Sequence, residues 1–284
     1  MGEARSEVTV VTGGAGGIGL AAAKIVGRTH AVVVSDVSKD RLDAAAAELR
    51  HLGIACTAAV CDITDPRSVA ELVETSSAFG DVVSVIHTAG VSPSMGSAEF
   101  VMRVNAMGTV HVNEQFCAIA RQGFAIVNVA SMAAHTLPRI AIPTRHFGHA
   151  LRDEDMFMKR MMSACRVAPE RLRPGLAYAI SKTFVVWYCR SQAERFGRRG
   201  ARIVSVSPGS IDTQMGRLEE QSGSGAMIRY AALKRFGRPE EVAELLAFCA
   251  SERAGYLTGT DILCDGGVVA SMRLRDKLAV ARKP

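Results

Sequence analysis

A glycine-rich turn near the N-terminus constrains the fold more than any other feature. The apolar run Val8–Val11 predicts a strand, which leads directly into Thr12–Gly19, with the sequence Thr-Gly-Gly-Ala-Gly-Gly-Ile-Gly. A helix is predicted to follow over Ile18–Gly27. Glycines let a backbone turn tightly and approach a pyrophosphate, while the helix start offers free N–H groups and the positive end of its dipole. This order predicts a phosphate-binding site; for an isolated glycine pattern, a turn without a ligand would be an equal alternative.

Apolar strands alternate with helical segments along the rest of the chain. Further strands are predicted at Ala31–Ser35, up to Val60–Cys61, and at Val82–His87, Phe124–Val129, Ile203–Ser207 and Thr260–Cys264. Further helices are predicted at Arg41–Leu52, from Asp65–Pro66 onward, and at Val104–Arg121, Tyr178–Phe196 and Pro239–Ala250. Strands that are apolar throughout and separated by helices predict the α/β class, with a Rossmann-like, doubly wound parallel sheet. Because the sequence shows no linker or repeat, we expect one domain over residues 1–284.

Charge and cysteine usage narrow the function classes. The net charge is +6, but the basic residues form no run interleaved with aromatics, and part of the excess lies in the tail from Arg273 to Lys283. Nucleic-acid binding is therefore not expected. The seven cysteines include no Cys-x-x-Cys pair, which favours free thiols in a reducing compartment over disulfides or a zinc site. No apolar run is long enough for a signal peptide or a membrane span, so a cytoplasmic location is expected by default.

An acidic residue closes the second predicted strand. Asp36 lies 17 residues after Gly19, close to the spacing of a ribose-binding acid in dinucleotide-binding folds. A carboxylate there accepts hydrogen bonds from the ribose hydroxyls and repels the 2′-phosphate of NADP. Thr12–Gly19 contains no Arg or Lys, and Lys39 is interpreted as solvated. We therefore expect NAD as the cofactor, with its pyrophosphate at Gly13, Gly17, Ile18 and Gly19.

Two more strand ends are predicted to contact the cofactor. Asp62 can accept a hydrogen bond from the adenine amino group while Ile63 packs on the ring, or Asp62 can be a polar residue at a helix entry. Small residues at Thr88, Ala89 and Gly90 leave room for the cofactor to cross the strand ends.

A phenol and an amine share one helical face. Tyr178 and Lys182 are four residues apart in Tyr-Ala-Ile-Ser-Lys. A nearby ammonium favours the phenolate and so lowers the pKa of the tyrosine, which makes it a usable proton donor and acceptor nearer neutral pH. Such a pair occurs by chance in many helices. It indicates a catalytic function here only because the glycine turn precedes it in the chain.

These motifs together resemble the short-chain dehydrogenase/reductase family, from Val8 to about Val268. The matching pieces, in order, are Thr12–Gly19, Asp36, Asp62, Asn105 in Val-Asn-Ala-Met-Gly, Ser131 in Val-Asn-Val-Ala-Ser, Tyr178 with Lys182, Pro208–Thr213, and Gly237-Arg-Pro-Glu-Glu with the later Leu257-Thr-Gly and Asp265-Gly-Gly. The resemblance implies a homo-oligomer, a dimer or a tetramer.

The resemblance also implies the roles of the site residues. Ser131 would hydrogen-bond the substrate oxygen, Tyr178 would transfer the proton, and Lys182 would lower the pKa of Tyr178 and hold the nicotinamide ribose. Asn105 would support a water that links Lys182 to solvent, or else make only a helix-to-strand hydrogen bond. Pro208, Gly209, Ile211 and Thr213 would hold the nicotinamide end.

The chain departs from the family pattern in two places. His87-Thr-Ala-Gly90 stands where the family usually has Asn-Asn-Ala-Gly, and 47 residues separate Ser131 from Tyr178, more than is usual. The long gap predicts an insertion, Ala133 to about Leu176, that emerges beside the site. Its cluster of Met156, Phe157, Met158, Met161 and Met162 suits a lid over a bulky apolar substrate, steroid- or terpenoid-like, or it only packs the insertion onto the sheet.

Several functional alternatives stay open at this point. The insertion carries eight Arg or Lys against four acids, so an anionic substrate such as a CoA thioester or a carboxylate is a second choice. His135, His146 and His149 are interpreted as surface or packing residues, and no metal is expected. The leading hypothesis is an NAD-dependent oxidoreductase that interconverts a secondary alcohol and a ketone. Epimerisation or dehydration on the same fold, and a non-catalytic dinucleotide-binding regulatory protein, are the alternatives.

Overall fold

The sheet has seven described strands, all parallel. A computed structural model describes residues 5–221 and 224–272; the basic tail and part of the Gln221–Gly225 stretch lie outside this range. The strands are β1 Glu7–Thr12, β2 Ala31–Asp36, β3 Cys56–Val60, β4 Asp81–His87, β5 Ala125–Val129, β6 Arg202–Pro208 and β7 Asp261–Cys264. Their order is β3-β2-β1-β4-β5-β6-β7, which confirms the predicted doubly wound sheet. The order reverses between β1 and β4, and ligands of such sheets bind in the crevice at the carboxyl ends of the strands there.

Helices cover both faces of the sheet. They are α1 Gly17–Val26, α2 Lys39–His51, α3 Pro66–Phe79, α4 Ala98–Met102, α5 Gly108–Ile119, α6 Glu154–Cys165, α7 Arg173–Gly197, α8 Gln214–Gln221, α9 Pro239–Ala250 and α10 Val268–Ser271. None of the helices in the described part of the chain is long and apolar enough to cross a membrane.

Strand residues alternate between the two layers of the core. Val10 and Val33 belong to the core cluster shared with α3, α4, α5 and α7, whereas Val11 and Val34 belong to the cluster shared with α1, α2 and α9. All four are fully buried. Burial on both faces explains why the strands read as continuous apolar runs in the sequence.

Helix α3 begins where the sequence predicts. The Asp65 carboxylate accepts a hydrogen bond of 2.9 Å from the Arg67 backbone N–H. Pro66 occupies the first helical position, where its missing N–H costs nothing. A local cap of this kind is visible in sequence because it depends only on adjacent residues.

A π-helical turn interrupts the predicted helix between Val104 and Arg121. Helix α4 runs into the π turn Arg103–Met107, which continues directly as α5. In this turn the Gly108 N–H bonds to the Arg103 carbonyl, one residue further back than in an α-helix. Asn105 lies in the middle of this π turn and is buried.

Residues 133–176 pack as an additional layer on α7. They form short 3-10 turns and α6, and α7 begins at Arg173 rather than at the predicted Tyr178. The Phe157 ring lies 5.0 Å from the Phe184 ring, and Phe147 packs edge-on against the same ring at 5.3 Å. Glu154, at the start of α6, pairs with His111 of α5 at 3.4 Å. Aromatic packing and this polar contact dock the 133–176 segment onto the main core.

Candidate active site

The glycine turn is closed tightly against the end of β4. Gly13 has φ 67°, and a Cβ there would lie 2.7 Å from the Ala89 backbone nitrogen. A Cβ at Gly19 would lie 2.6 Å from the Thr88 hydroxyl, which donates a hydrogen bond of 2.7 Å to the Thr12 carbonyl. Only glycine fits at these two positions, so the backbone N–H groups at the start of α1 stay accessible to a pyrophosphate. The predicted positions Gly17 and Ile18 form the first turn of α1.

Asp36 is held in place by a cation that the sequence analysis overlooked. Its carboxylate accepts hydrogen bonds from the Ser38 backbone N–H at 3.1 Å and from Arg41 Nη2 at 2.8 Å. Lys39, the cation considered from the sequence, pairs with Asp43 at 2.6 Å instead. Arg41 lies in the first turn of α2, five residues after Asp36, and this short spacing was the available signal.

The two residues predicted to contact adenine follow the end of β3, and their side chains point to different surroundings. Asp62 Oδ1 accepts hydrogen bonds from the Thr64 backbone N–H at 2.9 Å and the Thr64 hydroxyl at 2.8 Å, so the carboxylate shapes the turn into α3. The Ile63 side chain is buried in the core, and its contact with the adenine ring stays a prediction. This side chain lies against Gly108, where a Cβ would be 2.6 Å from Ile63 Cδ1.

Tyr178 and Lys182 lie on one face of α7, next to the end of β5. Lys182 Nζ is 5.9 Å from the centre of the Tyr178 ring and donates a hydrogen bond of 3.0 Å to the Val129 carbonyl. Val129 lies two residues before Ser131, whose hydroxyl accepts a hydrogen bond of 3.2 Å from the Ala133 backbone N–H. Val129 and Lys182, 53 positions apart in the chain, therefore meet at the carboxyl end of β5.

Asn105 is tied to the loop after β4. Its amide nitrogen donates to the Val91 carbonyl at 3.0 Å, and its amide oxygen accepts from the Val91 N–H at 2.9 Å. A Cβ at Gly90 would lie 3.0 Å from this oxygen and 3.4 Å from Lys182 Nζ. The side chain thus makes structural hydrogen bonds, to the loop after β4 rather than to a strand, and a part in proton relay stays a prediction.

The segment Pro208–Thr213 spans from β6 to the glycine turn. The Gly209 N–H donates to the Cys264 carbonyl at 3.0 Å, and a Cβ at Gly209 would lie 2.7 Å from Asp265 Cα. Ile211 is bridged to Gly237, and the Thr213 side chain approaches the Cβ position of Gly17 to 3.3 Å. These contacts join the segment to β7 and to the start of α1, and its contact with the nicotinamide end stays a prediction.

A buried carboxylate anchors the turn after Ser131. His135 Nε2 lies 2.8 Å from Asp261 Oδ2, and the Asp261 side chain is 2% exposed. The hydroxyls of Ser205 and Ser207 donate to the other oxygen of Asp261 at 2.6 and 2.9 Å. His135 therefore fixes the turn Met132–His135 to β6 and β7, which restricts the position of Ser131.

The residue after Ser131, Met132, packs against a small apolar cluster. We call it the apolar wall; its residues are Met132, Met227, Tyr230, Ala231, Val268 and Met272. Met132 and Tyr230 are its partly exposed members, and the other four residues are buried. Phe157, Met158 and Met161 of the predicted lid are buried in the main core instead, and Met156 and Met162 are half-buried. The side chains that pack with Met132, the residue after Ser131, thus come from the segments that follow α8 and form α10, which the sequence did not assign to the substrate.

The charged and thiol groups near the site offer no metal centre within the described ranges. No three His, Cys, Asp or Glu side chains there are grouped as metal ligands. The His146 and His149 rings stack on each other at 5.9 Å. All seven cysteines are free thiols.

Comparison with known proteins identifies the family. The sequence profile described as short chain dehydrogenase matches residues 7–142, and the one described as Enoyl-(Acyl carrier protein) reductase matches residues 160–269. A short-chain dehydrogenase/reductase of Alternaria brassicicola is 32% identical over 269 residues, which cover 93% of this chain and 97% of the relative. The chain belongs to the short-chain dehydrogenase/reductase family. As a member, this dehydrogenase/reductase is an oxidoreductase, and its family binds nicotinamide dinucleotides.

Two further comparisons agree with this assignment. A cis-4-hydroxycyclohexanecarboxylate dehydrogenase of Sinomonas cyclohexanicum is 31% identical, with 95% of this chain and all of the relative covered. The structure of a short-chain dehydrogenase/reductase from Serratia marcescens superimposes with a TM-score of 0.74 at 23% identity, covering 93% of this chain and 98% of that one. The close glycine turn at Gly13 and Gly19 and the free start of α1 fit the dinucleotide that this family of dehydrogenases/reductases binds.

Proposed function

We propose that the protein is an NAD(H)-dependent oxidoreductase that interconverts a secondary alcohol and a ketone on a bulky, largely apolar substrate. The observation that carries the proposal is the position of Lys182. Its ammonium lies beside Tyr178 and is bonded to the strand end that leads to Ser131. A phenol, a hydroxyl and a cation at one strand end are the groups that carbonyl reduction needs.

The chain's own residues handle the oxygen of the substrate. A bound nicotinamide ring supplies or accepts the hydride at the carbon. As hydride reaches a carbonyl carbon, negative charge develops on the oxygen, and fixed O–H donors at Ser131 and Tyr178 stabilise it. Tyr178 gives its proton to that oxygen in reduction and takes it back in oxidation. The Lys182 charge stabilises the phenolate that Tyr178 leaves behind.

The preference for NAD is supported by Asp36. Its carboxylate lies at the end of β2, where it can accept from both ribose hydroxyls, and its negative charge opposes a 2′-phosphate. Arg41 partly offsets this charge, because it bonds directly to Asp36. Since the guanidinium is already paired there, we infer that NADP binds more weakly than NAD.

The apolar wall supports a bulky apolar substrate. Methionine side chains are flexible and polarisable, so they adapt to irregular apolar ligands. Met132 directly follows the catalytic serine, and Met227 and Met272 pack with it. The substrate cover in this proposal is therefore the apolar wall, while Met158 and Met161 of the 133–176 segment serve packing.

A substrate that also carries a carboxylate is a second candidate. The Arg229 guanidinium lies 4.8 Å from the centre of the Tyr230 ring, so one cation stands at the edge of the apolar wall. The name of the Sinomonas relative describes a ring alcohol with a carboxylate. A cyclic secondary alcohol with one acidic group would fit an apolar wall with a cation at its edge.

A substrate panel tests the proposal. Purified protein is mixed with NAD and cyclic secondary alcohols of increasing size, with and without a carboxylate, and NADH absorbance is followed. We expect turnover that rises with apolar ring size and disappears in Tyr178→Phe. Net NADH production separates this reaction from epimerisation, which returns NAD unchanged. Cofactor binding without turnover on any alcohol or ketone of the panel would contradict the proposal.

A further inference from the structure

His87 lies at the centre of a chain of buried hydrogen bonds. Its Nδ1 atom is 2.7 Å from the Thr12 hydroxyl, and its Nε2 atom is 3.2 Å from the Thr109 hydroxyl. The Thr109 hydroxyl in turn lies 2.8 Å from the Asn105 carbonyl. The histidine is 2% exposed and both threonines are equally inaccessible, so water does not compete for these bonds. The chain links the start of the glycine turn to the π turn that carries Asn105.

The direction of each bond follows from what each atom can do. A carbonyl only accepts, so the Thr109 hydroxyl donates its single proton to Asn105. The Thr109 oxygen must then accept from His87, which places the imidazole proton on Nε2. Nδ1 is left to accept from the Thr12 hydroxyl. Burial, and secondarily the Lys182 charge, lower the pKa of His87 to about 3, so the ring stays neutral at working pH.

The far end of this chain of hydrogen bonds lies close to Lys182. The Asn105 amide holds Val91, and Gly90 lies between that amide and Lys182 Nζ. Asn105 sits in a π turn, where the regular α-helical bonding of its neighbours is broken, so other contacts must fix its backbone. The Thr109 hydroxyl supplies such a contact, and His87 fixes the Thr109 hydroxyl.

We propose that His87 is a positioning residue for the reaction: through Thr109 it holds the π turn and Asn105 against the Gly90–Val91 loop beside Lys182. The inference rests on the proposed function for its kinetic consequences. His87 touches neither substrate nor cofactor in this account, and its neutral ring acts as a fixed one-donor, one-acceptor bridge. A misplaced Asn105 would loosen the loop next to Lys182 and slow proton transfer without removing the dinucleotide site.

Thr109 and His87 each offer a matched pair of variants. Thr109→Val removes the hydroxyl at nearly constant volume, whereas Thr109→Ser keeps it. In His87→Gln the side-chain amide reaches the Nε2 position, and in His87→Asn it reaches only the Nδ1 position. We expect Thr109→Val and His87→Asn to lower kcat about fivefold, the loss of one modest hydrogen bond, with Kd for NADH unchanged. Thr109→Ser and His87→Gln should stay within about twofold of the wild type.

A control variant separates positioning from stability alone. The Thr9 hydroxyl in β1 bonds to the buried Ser84 hydroxyl at 2.9 Å and to the half-buried His30 Nδ1 at 2.7 Å, so Thr9→Val removes buried hydroxyl bonding away from the site. It should lower Tm and leave kcat unchanged. The double variant His87→Asn/Thr109→Val should be no slower than either single variant, because both break one chain. Equal kcat for Thr109→Val and Thr109→Ser, or additive losses in the double variant, would overturn the proposal.

Two measurements do not need turnover. In ¹⁵N NMR of histidine-labelled protein, His87 should show a protonated Nε2 and a bare Nδ1 between pH 5 and 9. Amide hydrogen exchange in the π turn should be faster in Thr109→Val than in Thr109→Ser. If the wild type turns over no alcohol or ketone, the proposed function fails while these two results still decide the positioning role. A protonated Nδ1, or equal exchange in the two variants, would refute it.

Discussion

Lys182 donates a hydrogen bond of 3.0 Å to the carbonyl of Val129, two residues before Ser131. This bond joins helix α7 to the end of β5, so the cation that serves Tyr178 also fixes the strand end that carries the serine. The lysine is 6% exposed, and its charge is therefore poorly screened by water. A substitution at Lys182 removes a charge and a structural contact at once.

Replacing Lys182 with methionine should reduce kcat by about two orders of magnitude or more, as for other positioned groups in proton transfer. The methionine keeps the length of the side chain but loses the ammonium and the bond to Val129. Steady-state kinetics with the best alcohol of the panel measures the effect. Lys24→Met, on the exposed face of α1 where Lys24 pairs with Glu48, is the matched control. Activity near the wild-type level in Lys182→Met would contradict the role given to this ammonium.

The choice between NAD and NADP should depend on Asp36 and Arg41 together. Asp36→Ala removes the carboxylate that repels a 2′-phosphate and frees Arg41 to bind it, so the ratio of NADPH to NADH affinity should rise about tenfold or more. Fluorescence titration of both reduced cofactors measures the ratio. Lys39→Ala should leave it unchanged, because Lys39 pairs with Asp43 and not with Asp36. A tighter wild-type Kd for NADPH than for NADH would show that the preference is reversed.

A substitution in the apolar wall should change substrate specificity, whereas a substitution in α6 should change stability. Met132→Ala shortens a partly exposed side chain of the apolar wall, so KM for large ring alcohols should change several-fold while Tm changes little. Met158→Ala leaves a cavity in the main core and should cost about 2–5 kcal/mol of unfolding free energy with the substrate ranking unchanged. Parallel KM series and urea titrations distinguish the two variants. A changed substrate ranking in Met158→Ala would instead support a lid formed by α6.

Acid should destabilise the protein partly through His87. Its pKa is lowered to about 3 in the folded state by burial and by Lys182, below the ordinary value of 6.5. The unfolded chain therefore takes up a proton that the folded chain refuses, so this contribution to stability is complete above pH 6.5 and is lost as the pH falls towards 3. One such group changes the unfolding free energy by at most about 1.4 kcal/mol per pH unit.

Urea denaturation across this pH range tests that contribution. His87→Gln cannot titrate, so its unfolding free energy should fall less steeply between pH 6.5 and 4 than that of the wild type. Identical slopes for the two proteins would mean that His87 is not held neutral in the folded state.

Sequence patterns predicted the features that depend on adjacent residues. The glycine turn, the Asp65–Pro66 helix start and helix α9, Pro239–Ala250, lie where their local signals placed them. Each is set by turn, cap or periodicity chemistry that acts over a few positions. The fold class followed because a parallel sheet demands apolar strands separated by helices.

Features that depend on residues far apart in the chain could not be predicted from the sequence. The apolar wall joins Met132 to Met227 and Met272, which no periodicity connects. In the sequence, Ile63 is an apolar residue at a strand end, where it could contact a ligand. In the structure its side chain fills the space left by Gly108. The methionines of α6 are typical of an adaptable surface, but tertiary packing placed two of them in the core.

The rate of hydride transfer in the Tyr178→Phe variant is the most direct test of proton transfer by Tyr178. It is measured in a single turnover at saturating NADH and ketone. The variant keeps the ring and the neighbouring backbone, so Kd for NADH should match that of the wild type. Without the phenolic proton, the rate of NADH oxidation should fall by about 10²–10⁴-fold. A rate within a few-fold of the wild type, with normal NADH binding, would contradict the assignment of proton transfer to Tyr178.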